Sequence, residues 1–352
     1  MCAPDPTTDD ATFACRHMAQ AGPIAAGPTS IPCKVSHTVR TLVHRSATPG
    51  PNLFLVGAMK CGTTSMYEYL RFHPQVYFPG ADDRSGSTDF RLKEPHHFCP
   101  DRHLPERVSV KSDEEYLAMY AGREDYAYRG DASASYLYSE AAPRLIKAFA
   151  PDARILIMLR PPLETMHSMH HALLGWLEDI PDFYEAVAAS EDRRNSRRIP
   201  PGCEEWTWLD YTGSIRFAPQ VERYFNTFGR DAVKVILLED LVGNPGKTWQ
   251  EVVDFLGIDR AYRPDFRAHN QTHRHGRLES AIESVYKHPA VYKVAHAVIP
   301  YTLVRAGLAA IRKVDRTGHT AADPREQTLR ESCRPEIERL SELLGRDLDH
   351  WI

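Results

Sequence analysis

The sequence lacks any run of roughly 18 apolar residues, the length a helix needs to cross a bilayer. Its most apolar stretch, Val294 to Ala310, is broken by His296, Pro300 and Arg305. It also lacks the signs of a secretory leader: Asp5, Asp9 and Asp10 stand where a basic start is usual, and no continuous apolar core follows. The seven cysteines, at positions 2, 15, 33, 61, 99, 203 and 333, include no CxxC pair and no metal-ligand spacing, so no metal site is expected. Read as reduced thiols in a chain without an export signal, they predict a cytoplasmic protein. Charge excess is missing too. A formal net charge of −4 and a pI near 6.5 argue against a nucleic-acid partner. No internal repeat is present.

What remains is ample for a core: 352 residues, 42% of them hydrophobic. Residues 1–50 are rich in Ala, Pro, Thr and Ser without periodicity and read as a flexible arm, leaving 51–352 as one domain. Three short apolar runs read as buried strands: Leu53 to Val56, Ile155 to Leu159 and Val233 to Leu238. Helical patterns run from Ser65 to Leu70, 113 to 122, 139 to 149, Leu163 to Glu178, Pro245 to Leu256 and 324 to 345, with a less defined helical stretch at 278–320. The polar segment Gly80 to Asp89 reads as an exposed loop. Continuous apolar strands alternating with helices predict an α/β fold of three layers around a central parallel sheet.

The strongest local signal is the strand LFLV followed by GAMKCGTTS at 57–65 and then a helix. Backbone N–H groups of such a loop, together with the positive end of the helix dipole, make an anion site. Lys60, Thr63, Thr64 and Ser65 add donors. Strand-to-helix turns of this composition also occur without any ligand. A nucleotide triphosphatase loop would read GxxxxGK[ST], with lysine directly after the second glycine. Here Lys60 lies two residues before Gly62 and Thr63 follows it, which makes an ATP- and magnesium-dependent kinase or triphosphatase the second reading.

Lysine in that position, in KCGTTS after a short apolar strand, resembles the 5′-phosphosulfate loop of sulfotransferases that use 3′-phosphoadenosine 5′-phosphosulfate (PAPS). RILIMLRPPLETMHSMHH at 154–171 resembles the same family's 3′-phosphate segment, a strand ending in arginine with a serine eight positions later, here Arg160 and Ser168. An arginine at a strand's carboxyl end reaches the crevice where α/β proteins bind ligands, and its planar fork suits phosphate. RGDASASYLYSEAAPRL at 129–145 looks like a further family segment, with Asp131 where glutamate is usual and Ala132 where lysine often sits. HNQTHRHGR at 269–277 resembles the basic loop over the nucleotide, with Gly276 and Arg277 the best match. The likeness is greatest to the carbohydrate, heparan sulfate-type branch.

What the resemblance implies is a P-loop-like nucleotide site formed by Lys60, Cys61, Gly62, Thr63, Thr64, Ser65, Arg160, Ser168, Gly276 and Arg277. PAPS would be the co-substrate and 3′-phosphoadenosine 5′-phosphate (PAP) the product, with no metal. Lys60 would steady the leaving phosphate. In the branch it resembles, the motif containing KEPHHF at 93–98 carries the catalytic glutamate, which makes Glu94 the expected base and His96 its partner or substitute. Burial is expected to raise the Glu94 pKa. A solvent-facing Lys93 and Glu94 is the plain alternative. His97 is a candidate substrate contact, and Cys61 is either a reactive thiol or simply small enough to fit. His170 and His171, adjacent on a helix, point apart and read as surface or cleft residues rather than metal ligands. Trp206, Trp208 and Tyr211, near Arg193, Arg194, Arg197 and Arg198, line a sugar or glycolipid cleft or else cap the core. The acceptor is a carbohydrate, glycolipid or specialised metabolite, and a binding protein that has lost turnover is the third class considered.

Overall fold

The computed structural model describes residues 49–80, 90–102, 104–174, 176–266 and 323–352. Five strands form one sheet: β1 (Leu53–Gly57), β2 (Val76–Tyr77), β3 (Tyr128–Asp131), β4 (Arg154–Leu159) and β5 (Val233–Leu237). Their order is β2-β3-β1-β4-β5, and every pairing is parallel. Leu53 lies between Gly130 and Arg154 at the start of β1, and β4 runs in register with β5 from Ile155–Val233 to Leu159–Leu237.

The central strands explain why their sequences are apolar without alternation. Leu53 to Val56 and Ile155 to Leu159 are all 0% exposed, so both faces of the sheet are covered and the molecule has three layers. Fully burying each such side chain contributes roughly 1.5–3 kcal/mol.

Helices α1 (Thr63–Arg71), α2 (Phe90–Lys93), α3 (Asp113–Ala118), α4 (Ala142–Phe149), α5 (Pro162–Leu173), α6 (Phe183–Arg194), α7 (Tyr211–Ser214), α8 (Phe217–Phe228), α9 (Leu238–Gly243), α10 (Pro245–Leu256), α11 (Pro324–Ser332) and α12 (Arg334–Leu344) complete the described fold. The chain leaves β1 toward the β3 and β2 side but leaves β4 toward β5. The switch point of the sheet is therefore the crevice between the carboxyl ends of β1 and β4, the place where open α/β sheets bind ligands.

Several elements differ from the sequence reading. The helix expected over 163–178 ends at Leu173, because Leu174 turns extended and the chain folds inward to bury Glu178. The single helix expected over 324–345 is two, since Pro335 sits in the first turn of α12, where it cannot continue the preceding helix. The helix begun at Asp113 stops at Ala118, short of the Gly122 stop. β3, with sequence YRGD, carries no apolar run; its Gly130 is required because a Cβ there would lie 2.2 Å from the Phe78 ring. Among the described residues Cys61, Cys99, Cys203 and Cys333 are free thiols, and no helix is long and apolar enough to cross a membrane.

Candidate functional site: an anion crevice with a carboxylate turn

The loop after β1 enters α1 through Gly62, whose φ of 87° is left-handed and whose Cβ, were there one, would lie 2.6 Å from Leu238 Cδ1. No side chain caps the start of α1, which opens on the crevice; within the first turn Ser65 N donates to the Gly62 carbonyl at 3.0 Å. Lys60 is itself left-handed at φ 63°, an uncommon conformation for a side-chain-bearing residue and one that concentrates at functional sites. Burial and the nearby Arg160 charge hold its pKa below the usual lysine value. Thr63 and Ser65 are buried and Thr64 is partly exposed. Cys61 points into the core, its Sγ 3.6 Å from Thr165 Oγ1, and burial pushes its thiol up to about 11; it is a small packed residue and not a reactive one.

Arg160 follows β4 and reaches across the switch point. Its Nη1 donates to the Lys60 carbonyl at 3.1 Å and its Nη2 to the Glu164 carbonyl at 2.7 Å, while its Nε is buried without a partner. Ser168, 2% exposed, lies on α5, the helix that Arg160 leads into. Two motifs about 100 residues apart in sequence thus meet in one crevice.

The KEPHHF turn forms the third wall. Lys93 is not solvent-facing: it is 4% exposed and donates to Thr64 Oγ1 at 3.1 Å and to Glu94 Oε1 at 3.0 Å. Glu94 Oε2 accepts from the Ala134 N–H at 3.3 Å and lies 3.7 Å from His96 Nε2. The expectation of a raised Glu94 pKa fails. Burial does push it up, but Lys93, His96 and the Ala134 N–H together outweigh burial and hold the carboxyl below its usual range. His96 is buried, so its pKa falls to about 4 and the ring is neutral near pH 7. Its backbone is also left-handed, at φ 51°.

Sequence reasoning missed what fixes this turn. Asp131, fully buried at the end of β3, accepts from Ser133 Oγ at 2.6 Å, Ser133 N at 3.0 Å, Tyr116 Oη at 2.7 Å and Tyr136 Oη at 2.8 Å. Ser133 Oγ in turn accepts from His96 N, and Tyr136 Oη from His97 N, both at 2.9 Å. The signal available was Asp131 standing in a family-like segment. His97 is a structural residue: it stacks on Tyr116 with ring centroids 4.1 Å apart, and its Nδ1 lies 2.9 Å from the Val110 carbonyl.

His170 is buried and its Nε2 lies 2.9 Å from the Ile180 carbonyl, so it secures the return after α5 rather than facing solvent or acceptor. Tyr211 and Arg193 both bind the buried Glu178, at 2.8 Å and 2.7 Å, which makes them part of a cap; Trp208 packs against Trp176, itself 63% exposed. Gly276 and Arg277 lie outside the described residues. No cluster of three or more potential metal ligands occurs among the described residues.

An uncapped helix start, a lysine loop and an arginine meeting at a switch point belong to the P-loop-like, nucleotide-binding class of α/β proteins. Within that class, the sequence model described as "Sulfotransferase family" matches residues 51–262, and the chain belongs to this family. The match leaves the ATP-and-magnesium reading of the loop without support. The chain is 26% identical to a sulfotransferase from Alicyclobacillus acidocaldarius, with a TM-score of 0.61 over 86% of this chain and 98% of that one. It is 25% identical to heparan sulfate glucosamine 3-O-sulfotransferase 3B1 of Mus musculus, over 63% of this chain and 50% of the relative. It is 24% identical to carbohydrate sulfotransferase 15 of Rattus norvegicus, over 59% of this chain and 44% of the relative. The chain thus spans about half the length of these curated relatives.

Proposed function

We propose that this protein transfers a sulfuryl group from PAPS to a hydroxyl or amine of an acceptor. The observation that carries the reading is the convergence of Lys60, Arg160 and Glu94 on one crevice, bridged by Lys93 between Thr64 and Glu94. The loop N–H groups and the start of α1 hold the 5′-phosphosulfate, and Arg160 with Ser168 holds the 3′-phosphate. The residues fit that group: the helix end has no cap, and the buried Arg160 Nε has no partner of its own.

Sulfuryl transfer, like phosphoryl transfer, is an in-line displacement governed by positioning and charge. Lys60 donates to the bridging oxygen as the sulfur–oxygen bond breaks and negative charge gathers on the leaving phosphate. A lowered pKa makes its ammonium a better donor at that moment. Glu94, ionised because Lys93 and the Ala134 N–H offset its burial, takes the acceptor proton as the new bond to sulfur forms. His96, neutral near pH 7, orients that carboxylate.

Calorimetry of PAP against ATP, with magnesium chelated, on the wild type and Arg160→Ala tests the donor site. Metal-independent PAP binding lost in Arg160→Ala is the expected result. Binding of ATP alone, and only with magnesium, overturns the proposal.

A further inference from the structure

Arg160, proposed to hold the 3′-phosphate, already has an anion beside it. Glu164 Oε2 lies 3.5 Å from Arg160 Nη2, and the Glu164 side chain is 54% exposed. Glu164 stands four residues after Arg160 and four before Ser168, the spacing that sets helical neighbours on one face. The carboxylate therefore flanks the ground proposed for the 3′-phosphate, between the two residues assigned to it. A negative charge in that position works against an anionic ligand, since like charges a few ångströms apart repel.

The ion pair is not what places Arg160. Two backbone carbonyls do that: Nη1 donates to the Lys60 carbonyl at 3.1 Å and Nη2 to the Glu164 carbonyl at 2.7 Å. Both bonds survive a change to the Glu164 carboxyl group, because the second acceptor is main chain. The pair itself is weak, being a single long contact, and a carboxylate this exposed is screened by water and salt. In the first turn of α5 the carboxylate also faces the positive end of the helix dipole, so it keeps a favourable place without the guanidinium.

We propose that Glu164 is a displaceable counter-ion of the donor site: it pairs with Arg160 between turnovers, yields to the 3′-phosphate, and limits how tightly the bisphosphate product is held. Each Nη of Arg160 carries a second N–H, so the planar fork still has donors for a phosphate, a better-shaped contact than the single approach to Glu164. The exchange is favourable, yet the carboxylate remains within a helical turn of the phosphate and its charge keeps opposing it. A nucleotide without a 3′-phosphate meets neither effect at Arg160. The inference rests on the proposed donor site and adds to it a residue whose charge speeds release.

The test is calorimetry on the full chain with magnesium chelated, comparing PAP with adenosine 5′-phosphate (AMP), which lacks only the 3′-phosphate. The proteins are wild type, Glu164→Gln and Glu164→Asp, with AMP followed by displacement of PAP. Glu164→Gln binds PAP about five- to tenfold more tightly than wild type, the gain from removing one charge near a phosphate in water. AMP affinity changes by less than about twofold, and Glu164→Asp, which keeps the charge, stays near wild type. The PAP gain shrinks as salt is raised. A side chain with a merely structural role would weaken PAP binding when altered, so tighter binding separates the two cases. PAP binding that is unchanged or weaker in Glu164→Gln overturns the inference. So does an AMP gain as large as the PAP gain, which places the effect away from the 3′-phosphate. Failure of PAP to bind wild type sinks the donor site itself, a result distinct from these.

Discussion

Replacing Asp131 by Asn tests whether a buried carboxylate outside the reaction centre holds the base in place. The amide keeps the shape, and its Oδ1 still accepts from Ser133 N and Oγ. Its Nδ2, however, faces Tyr116 Oη and Tyr136 Oη, which now donate to the carboxylate at 2.7 Å and 2.8 Å. Tyr136 Oη already accepts from His97 N at 2.9 Å and Phe98 N at 3.3 Å, so it has no lone pair left for the amide. The Tyr136 hydrogen bond to the carboxylate is lost and the Tyr116 one becomes a neutral bond that Tyr116 Oη accepts from Nδ2, together costing roughly 2–5 kcal/mol. Relief of the carboxylate's burial, which raises the Asp131 pKa against its four hydrogen bonds, offsets part of this. The net loss is about 2–4 kcal/mol, read as a lower urea midpoint at unchanged m. Because the folded pKa is raised, wild-type stability falls as pH rises through it, and the variant lacks that slope. Turnover falls on the order of a hundredfold as the His96 turn loosens, with PAP affinity unchanged. Stability within about 1 kcal/mol of wild type together with full turnover would refute the reasoning.

Lys60→Ala lowers turnover by roughly 10²–10³-fold and weakens PAP only modestly, as measured by steady-state kinetics beside calorimetry. Glu94→Gln removes turnover and leaves PAP binding intact; normal activity in that variant moves the base role to His96. In Lys93→Met the carboxylate loses the ammonium that lowers its pKa by charge and by hydrogen bond, so the Glu94 pKa rises and the acidic limb of kcat/KM shifts to higher pH. An unmoved limb shows that Glu94 is not the titrating base. Burial lifts Glu336, on α12, to about 7, opposed by the Ala218 N–H. A raised folded pKa adds stability at low pH that is lost as pH rises through about 7. Glu336→Gln should remove that slope, worth roughly 3 kcal/mol, in denaturation between pH 5 and 8.

The sheet's centre was legible because β1 and β4 are buried on both faces and so carry apolar runs that periodicity detects. β5 was legible too, but β2 and β3, on the other side of β1, were not. β3 carries Arg129 and Asp131 for the connections they make, and β2 is two residues long. On the site side, Lys60, Arg160 and Glu94 were recognisable because each stands in a spaced motif. Their electrostatics were not, since the Glu94 pKa depends on its burial, on Lys93 turning its ammonium onto the carboxylate, and on the Ala134 N–H 40 residues away, all of which the fold decides.

The two residues of the crevice with left-handed backbones, Lys60 and His96, lie on different loops, and each strained conformation needs a frame that outlasts it. For His96 that frame is the Asp131 hub acting through Ser133. For Lys60 it is Arg160, which grips the Lys60 carbonyl and so couples the donor lysine to the residue proposed to hold the 3′-phosphate. Lys93 then ties the frames together, with one hydrogen bond to Thr64 of the proposed donor loop and one to Glu94, the proposed base. The charge that lowers the Glu94 pKa is thus the same one that sets the distance between base and donor. In the proposed sulfuryl transfer basicity would be given up for position, which suits an in-line displacement governed by alignment.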